Sequence, residues 1–461
     1  MPFIPHTPND ERAMLEAIGV GCLDDLFDEI PGELRVGPLP GIPPALNEMQ
    51  VGRLMTERAG LDGKVLNFIG AGAYEHHIPA AVWSTVTRGE IYSAYTPYQA
   101  EASQGTLQII FEYQTMMASL TAMEVSNASL YDGASALAEA CLMAVRANRR
   151  SKSSRILMPR SLHPHYEQCV RSVCGLQDLV FETIPFATES GKILQSSLRE
   201  YEATDVTAVV IQQPNFFGSL EEVDDIVNWA HANGALVIAV VNPVSLAVLR
   251  PPGEWGSRGA DIVVGDGQPL GVPLSGGGPY FGFMTTRMDH VRQMPGRIVG
   301  RTVDLDGRTG YALTLQAREQ HIRRSKATSN ICTNQGLLMT AATIYLSLLG
   351  AEGLERVAHA SMANTDLLLA RLVEIPGVHV LFSGPRFHEA VVSVDVSVKD
   401  LLTGLAARGI AGGFDLTRHY PELGNAMLVC ATETKNEQDI DEYVEAFRDV
   451  VATLRQMGGS L

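Results

Sequence analysis

The chain has 461 residues, 46% of them hydrophobic and 19% charged, with a formal net charge of -17 at pH 7. So apolar a chain is not an intrinsically disordered one, and its length exceeds what a single core usually holds, so two folding units plus an appendage are expected. The acidic balance excludes a non-specific phosphate-backbone binder, which needs a field of lysine and arginine, and nucleic acid is not an expected partner.

Six cysteines (Cys22, Cys141, Cys169, Cys174, Cys332 and Cys430) are scattered without a CxxC pair or a His/Cys metal spacing. They read as reduced, mostly buried thiols, and no metal site is expected. Residues 1–11 have neither a basic nor an apolar leader region, and no later stretch approaches the roughly 18 uninterrupted apolar residues of a membrane span. A cytoplasmic protein with no membrane partner is the expectation.

Residues 1–64 read as short helices punctuated by prolines. Thr7 or Asn9 can cap a helix to about Ile18, a second runs to a stop at Pro31, and residues 37–44 hold four prolines in an extended connection. From 65 to 330, short continuous apolar runs at 155–159, 208–212, 235–241 and 261–264 alternate with helical patterns at 107–123, 134–148 and 221–233. Continuous β-branched runs are how strands buried on both faces of a parallel sheet read, so this is an α/β domain with a doubly wound, mostly parallel sheet. Residues 331–461 form a smaller α+β domain: helices at about 334–349 and 352–375, strands near 378–382, 390–396 and 427–430, and a last helix to about Arg455.

Three segments carry chemistry. Residues 129–139 put Gly133 and small residues directly before a helix, which would suit a phosphate such as that of pyridoxal phosphate (PLP). The alternative is that Asp132 or Ser135 caps the helix and Gly133 makes the turn. Residues 95–105 gather Tyr95, Thr96, Tyr98, Gln99, Glu101, Ser103 and Gln104 in one polar loop, either a site or a surface loop whose tyrosines pack on nearby helices. Residues 318–333 are the one concentrated basic stretch. There Arg318, Arg323, Arg324 and Lys326 can receive an anion and Thr328, Ser329 and Asn330 can add hydrogen bonds, unless this is a solvated helix end with Thr333 capping the next helix. The adjacent His76 and His77 point to different sides and do not form a metal pair, and residues 275–280 read as a tight turn between strands.

Two absences stand against these features. No lysine lies between Lys192 and Lys326, so the turn after the 261–264 strand, where a PLP enzyme of this architecture holds its Schiff-base lysine, reads Gln268, Pro269, Leu270. Proline has no side-chain amine. The strand that would hold the pyridine nitrogen with a carboxylate ends at Asn242 instead.

Residues 95–105, 127–133, 265–271 and 318–333 together resemble the P-protein family of the glycine cleavage system, over nearly the whole chain and in the family's first half. In length the chain is similar to the first of the two subunits into which the family is sometimes split. The resemblance implies the fold-type I, aminotransferase-like architecture and an oxidoreductase that decarboxylates glycine and passes its aminomethyl group to the lipoyl arm of H-protein. The family's catalytic half carries a histidine-lysine-threonine motif where this chain has Gln268, Pro269 and Leu270. PLP is therefore implied on a second subunit, and no catalytic residue is expected in this chain. The implied assembly holds two copies of each subunit. Tyr95, Thr96, Tyr98, Gln99, Ser103, Gln104, Thr328, Ser329 and Asn330 are the expected walls of a pocket completed across the interface. The competing readings are a scaffold or docking subunit that contributes no site residue, and a self-sufficient PLP enzyme using Lys326 or another of the six lysines.

Overall fold

The computed structural model describes residues 6–37 and 39–458. Residues 1–5, part of the opening stretch from which no export signal is expected, and Pro38 of the proline-rich connection lie outside the described residues. The chain forms two compact units, Met1–Gly63 and Lys64–Leu461.

In the first unit, Thr7 caps helix Pro8–Ile18: its hydroxyl accepts from the Asp10 N–H, Asp10 accepts in return from the Thr7 N–H, and Pro8 takes the first helical position. The second helix expected before Pro31 is only a 3-10 turn, Leu23–Phe27. Asp25 explains the difference, because its carboxylate takes the N–H groups of Gly21 and Cys22 and holds the backbone in a local turn. A further helix, Glu48–Ala59, starts at Asn47 with a reciprocal bond to Gln50.

The second unit is built on a seven-stranded sheet of β1 (Val125–Ser126), β2 (Arg155–Pro159), β3 (Val180–Ile184), β4 (Ala208–Gln213), β5 (Leu236–Val241), β6 (Ile262–Asp266) and β7 (Gly282–Thr286), in spatial order β1-β7-β6-β5-β4-β2-β3. Strands β2 to β6 run parallel, while β7 pairs antiparallel with β6 and with β1. The four apolar runs of the sequence are β2, β4, β5 and β6, and their middle residues are buried. Alternate residues feed two cores: Val209, Ile211, Val237 and Val263 on one face, Val210, Ile238, Ile262 and Val264 on the other. Each fully buried aliphatic side chain contributes roughly 1.5–3 kcal/mol of transfer free energy.

Beyond the sheet lie a hairpin of Ile298–Val303 with Thr309–Thr314 and a four-stranded antiparallel sheet containing Glu389–Ser393 and Ala426–Cys430. That smaller sheet packs its own core with the final helix, where Tyr443 stacks near Phe68. The two helices expected at about 334–375 are present within Gly336–Leu372, divided by a non-helical break at Gly350 (φ 62, ψ -172). By length and composition alone this segment is long and apolar enough to cross a membrane, although the sequence holds no uninterrupted apolar run of that length. Its apolarity has a local cause, since Leu338, Met339, Ala341, Ala342 and Tyr345 are buried in the main core. No disulfide forms among the described residues. Cys141, Cys174 and Cys430 are buried, but Cys22 and Cys332 are exposed, so burial holds for only half of the thiols.

The break at Gly350 needs a backbone conformation that essentially only glycine adopts. Gly350→Ala is expected to cost about 1–3 kcal/mol, read as a lower urea midpoint at an unchanged m-value. An unchanged midpoint would show that the two helical segments can join without that conformation.

Candidate functional site

Open parallel sheets bind ligands outside the carboxyl ends of their strands, where the chain order reverses. Here that reversal falls between β2 and β4, and Gln212, Asn242 and Asp266 stand at the ends of β4, β5 and β6. The cleft they share with His163, Tyr166, Pro269 and Glu389 measures only about 40 Å3. A small-molecule site runs to roughly 300–1,000 Å3, so this one is filled.

The filling is done by the chain itself. Helix Gly133–Ala147 begins with a reciprocal cap between Asp132 and Ser135, as one of the two readings of that turn expected. The Gly133 N–H, which a phosphate would otherwise use, donates to Asp266 Oδ2 at 3.1 Å, and Asp266 Oδ1 takes the Gln268 N–H at 2.9 Å. The turn is also closely packed: a Cβ on Gly133 would lie 2.2 Å from the Tyr166 hydroxyl and 2.7 Å from the Asp266 nitrogen. Burial outweighs the two donors and pushes the Asp266 carboxyl up to about 7.

The glycine-rich stretch after residue 69 closes the remaining space. Gln268 receives the Tyr74 N–H and donates to the Tyr74 and Val272 carbonyls, so its amide is fully used. Tyr74 donates through its hydroxyl to Glu389 Oε2 at 2.7 Å, and Glu389 Oε1 takes the Ala71 N–H. Burial raises Glu389 to about 7 as well. His163, kept neutral by burial, which lowers it to about 4, bonds the Ala71 carbonyl, and His388 sits 3.3 Å from Asn242 and against the Tyr74 ring. Gly72 (φ 96) permits the approach, because a Cβ there would be 2.7 Å from His163 Nε2. No lysine lines this cleft, its anion cradle holds a carboxylate and its volume is taken. The residues present do not fit PLP.

A second cavity, of about 610 Å3, is open. Tyr95, Thr96 and Ser103 line it together with the start of helix Gln104–Thr121, Arg297, Thr333, Asn334 and the first turn of helix Gly336–Leu372. Tyr95 is 87% exposed. Arg297 is buried; its Nη2 donates to the Tyr98 hydroxyl at 3.0 Å, its guanidinium lies over the Tyr98 ring, and its Nε has no hydrogen-bond partner. Behind it stands Glu319, 3.7 Å from Arg297 Nε, with a carboxyl raised by burial and an Oε1 that has no partner.

The expected site residues therefore divide. Tyr95, Thr96 and Ser103 face the open cavity, and Tyr98 holds Arg297. Gln99 is exposed, and Gln104 is a latch whose amide bonds both the N–H and the carbonyl of Tyr311 on the hairpin. Thr328, Ser329 and Asn330 do not line the cavity: Ser329 donates to Glu139, and Asn330 is exposed. Thr333 lines the cavity rather than capping the next helix, whose N-cap position is Gln335. Arg297 and Asn334 have no motif around them in the sequence. His76 and His77 part as expected, His76 buried on Glu433 and His77 exposed, and the described residues hold no metal-binding cluster.

Residues 1–447 match the family model described as glycine cleavage system P-protein. The chain is 62% identical to a probable glycine dehydrogenase (decarboxylating) subunit 1 from Thioalkalivibrio sulfidiphilus, over 98% of this chain and 100% of the relative. Among solved structures it is similar to an inhibitor-bound glycine decarboxylase (P-protein) of the glycine cleavage system, with a TM-score of 0.86 at 40% identity over 98% of this chain and 100% of that one. A sphingosine-1-phosphate lyase from Burkholderia pseudomallei shares the fold at 15% identity, with a TM-score of 0.66 over 93% of this chain and 96% of that one.

The two raised carboxyls set a direction for stability against pH. Asp266 and Glu389 hold their protons more tightly folded than unfolded, where carboxyls titrate near about 4. The stability they confer is complete below that value and is lost as pH rises through about 7, by up to about 1.4 kcal/mol per pH unit for each proton released. Asp266→Asn is expected to flatten the fall in urea midpoint between about pH 5 and about pH 8. A fall as steep as in the parent would show that Asp266 is ionised throughout.

Proposed function

The chain belongs to the glycine cleavage system P-protein family, and on that premise we propose how its closed cleft and open cavity divide the work of glycine decarboxylation. PLP is carried by a second subunit of the same fold, and this chain completes the pocket from the other side. The overall reaction releases carbon dioxide from glycine and transfers the aminomethyl group to the lipoyl disulfide of H-protein, which is reduced. Two copies of each subunit in the cytoplasm, with residues 65–330 as the large domain and 331–461 as the small one, complete the proposal.

The observation that carries it is the contrast between the two concavities. A chain of this fold whose switch-point cleft is reduced to about 40 Å3 by its own side chains has no room for the cofactor. The same chain presents a cavity of about 610 Å3 rimmed by the Tyr95 phenol, the Thr96 and Ser103 hydroxyls and the buried Arg297 cation. These groups can orient a carboxylate or a polar arm and exclude water, which is what a wall of a shared pocket contributes. Arg297, held by Tyr98, adds to the residues expected from the sequence, while Gln104 acts by pinning the hairpin and Thr328, Ser329 and Asn330 by shaping the approach to the next helix.

Lys326 does not support a self-sufficient enzyme. It is exposed in a short 3-10 turn, Arg324–Lys326, remote in sequence from every strand end of the cleft. The scaffold reading differs from the shared-pocket reading at Tyr95, whose exposure makes its truncation nearly neutral for folding. In a complex co-expressed with the second subunit, Tyr95→Ala is expected to lower glycine-dependent carbon dioxide exchange by about tenfold or more, the scale of a lost positioning contact, while the complex still elutes intact. Unchanged exchange would favour the scaffold.

A further inference from the structure

At the amino ends of β5 and β6, the opposite ends of these strands from the closed cleft, lies a third cleft of about 500 Å3. In a chain of net charge -17 it is lined by six arginines: Arg146, Arg149, Arg150, Arg258, Arg287 and Arg292. They converge from several elements. Arg146 ends helix Gly133–Ala147, Arg149 and Arg150 follow it, Arg258 precedes β6, Arg287 follows β7, and Arg292 lies in the 3-10 segment Met288–Gln293. The helix dipole accounts for a cation at Arg146, but not for those brought from three other places in the chain.

Arg146 is met by Glu139 and donates to the Gln293 carbonyl, and Arg287 donates to the Ala260 and Gly259 carbonyls, but the other four charges are unanswered. Among the described residues, no carboxylate lies within ion-pair distance of Arg149, Arg150, Arg258 or Arg292. The acids facing the cleft are Asp261 and Asp289. Asp261 is already committed to His231 at 2.9 Å and to the Val237 N–H, with Arg287 at 3.6 Å, and Asp289 is exposed. Two groups on the wall also lack partners: Arg146 Nε, and Nδ1 of His231, whose side chain is only 8% exposed. His290 adds a further imidazole.

We propose that this cleft binds the phosphate chain of a compact polyanion, a di- or triphosphate. Guanidinium forks pair with phosphate oxygens two bonds at a time, and the volume falls in the range of small-ligand sites. A cleft of about 500 Å3 with six guanidinium groups on its walls has room and donors for more than one phosphate, which a chain of them fills. The lining contains no phenylalanine, tyrosine or tryptophan on which a nucleobase would stack, so recognition lies in the phosphates.

The test is calorimetric titration of the purified complex, in 0.15 M salt chosen to screen weak surface charge, with inorganic tripolyphosphate, ATP and orthophosphate. Tripolyphosphate is expected to bind once per chain, with orthophosphate at least about tenfold weaker, the scale of the charge-assisted bonds it cannot make. ATP binding as tightly as tripolyphosphate identifies a bare phosphate chain as sufficient, and tighter binding of ATP points to a nucleotide as the source. Both support the site. The exposed pair Arg149→Ala with Arg292→Ala should weaken binding by about tenfold or more while leaving the thermal midpoint and glycine-dependent exchange unchanged. Absence of saturable binding, or equal affinity in the double variant, would overturn the proposal.

Discussion

The N–H of Gly133 at a helix start can be given to one acceptor, and in this chain that acceptor is internal. The Gly133 N–H is taken by Asp266 at the end of β6, with Tyr166 packed on the same turn. A phosphate cannot share that place, because its backbone donor is already used and the turn is closely packed. The rest of the cleft follows from this choice. Asp266 also receives the Gln268 N–H, Gln268 bridges to Tyr74, and Tyr74 reaches Glu389, so a continuous run of satisfied polar groups replaces a cofactor. Removing one member would leave buried donors or acceptors unpaired, which is why such networks hold together as units.

This gives the loss of the lysine a structural complement. Pro269 alone would leave an empty pocket lacking an amine, and an empty polar pocket would fill with water. Instead the stretch carrying Ala71, Gly72 and Tyr74 folds into it, at the cost of a positive φ at Gly70, Ala71 and Gly72. Membership of the P-protein family and a closed cleft agree if the chain works from its second cavity, where Tyr95, Thr96, Ser103 and Arg297 surround open space.

The parallel sheet is legible in the sequence because its strands are short, continuous and β-branched, and their length and branching separate them from a buried helix. The helix break at Gly350 was legible as two helices, since the glycine interrupts the apolar pattern. The turn before Pro31 misled because Asp25 takes its bonds from residues three and four positions earlier, a local preference that hydrophobic spacing does not register. At the site, Pro269 and the 95–105 loop were visible as departures in composition. Arg297 and Asn334 were not, because each acquires its place only when a hairpin and a helix start are brought against that loop. Asp266 stands out in the sequence only as part of the 265–271 stretch, as its role depends on Gly133, 133 residues earlier in the chain.

The most direct measurement is borohydride reduction of the PLP-loaded two-subunit complex, followed by mass spectrometry of the labelled peptides, with this chain alone treated in parallel. The account predicts the pyridoxyl label on a lysine of the second subunit, and none on Lys64, Lys152, Lys192, Lys326, Lys399 or Lys435 of this chain beyond the level seen after denaturation. Stoichiometric label on any of those six lysines in the native complex would contradict it.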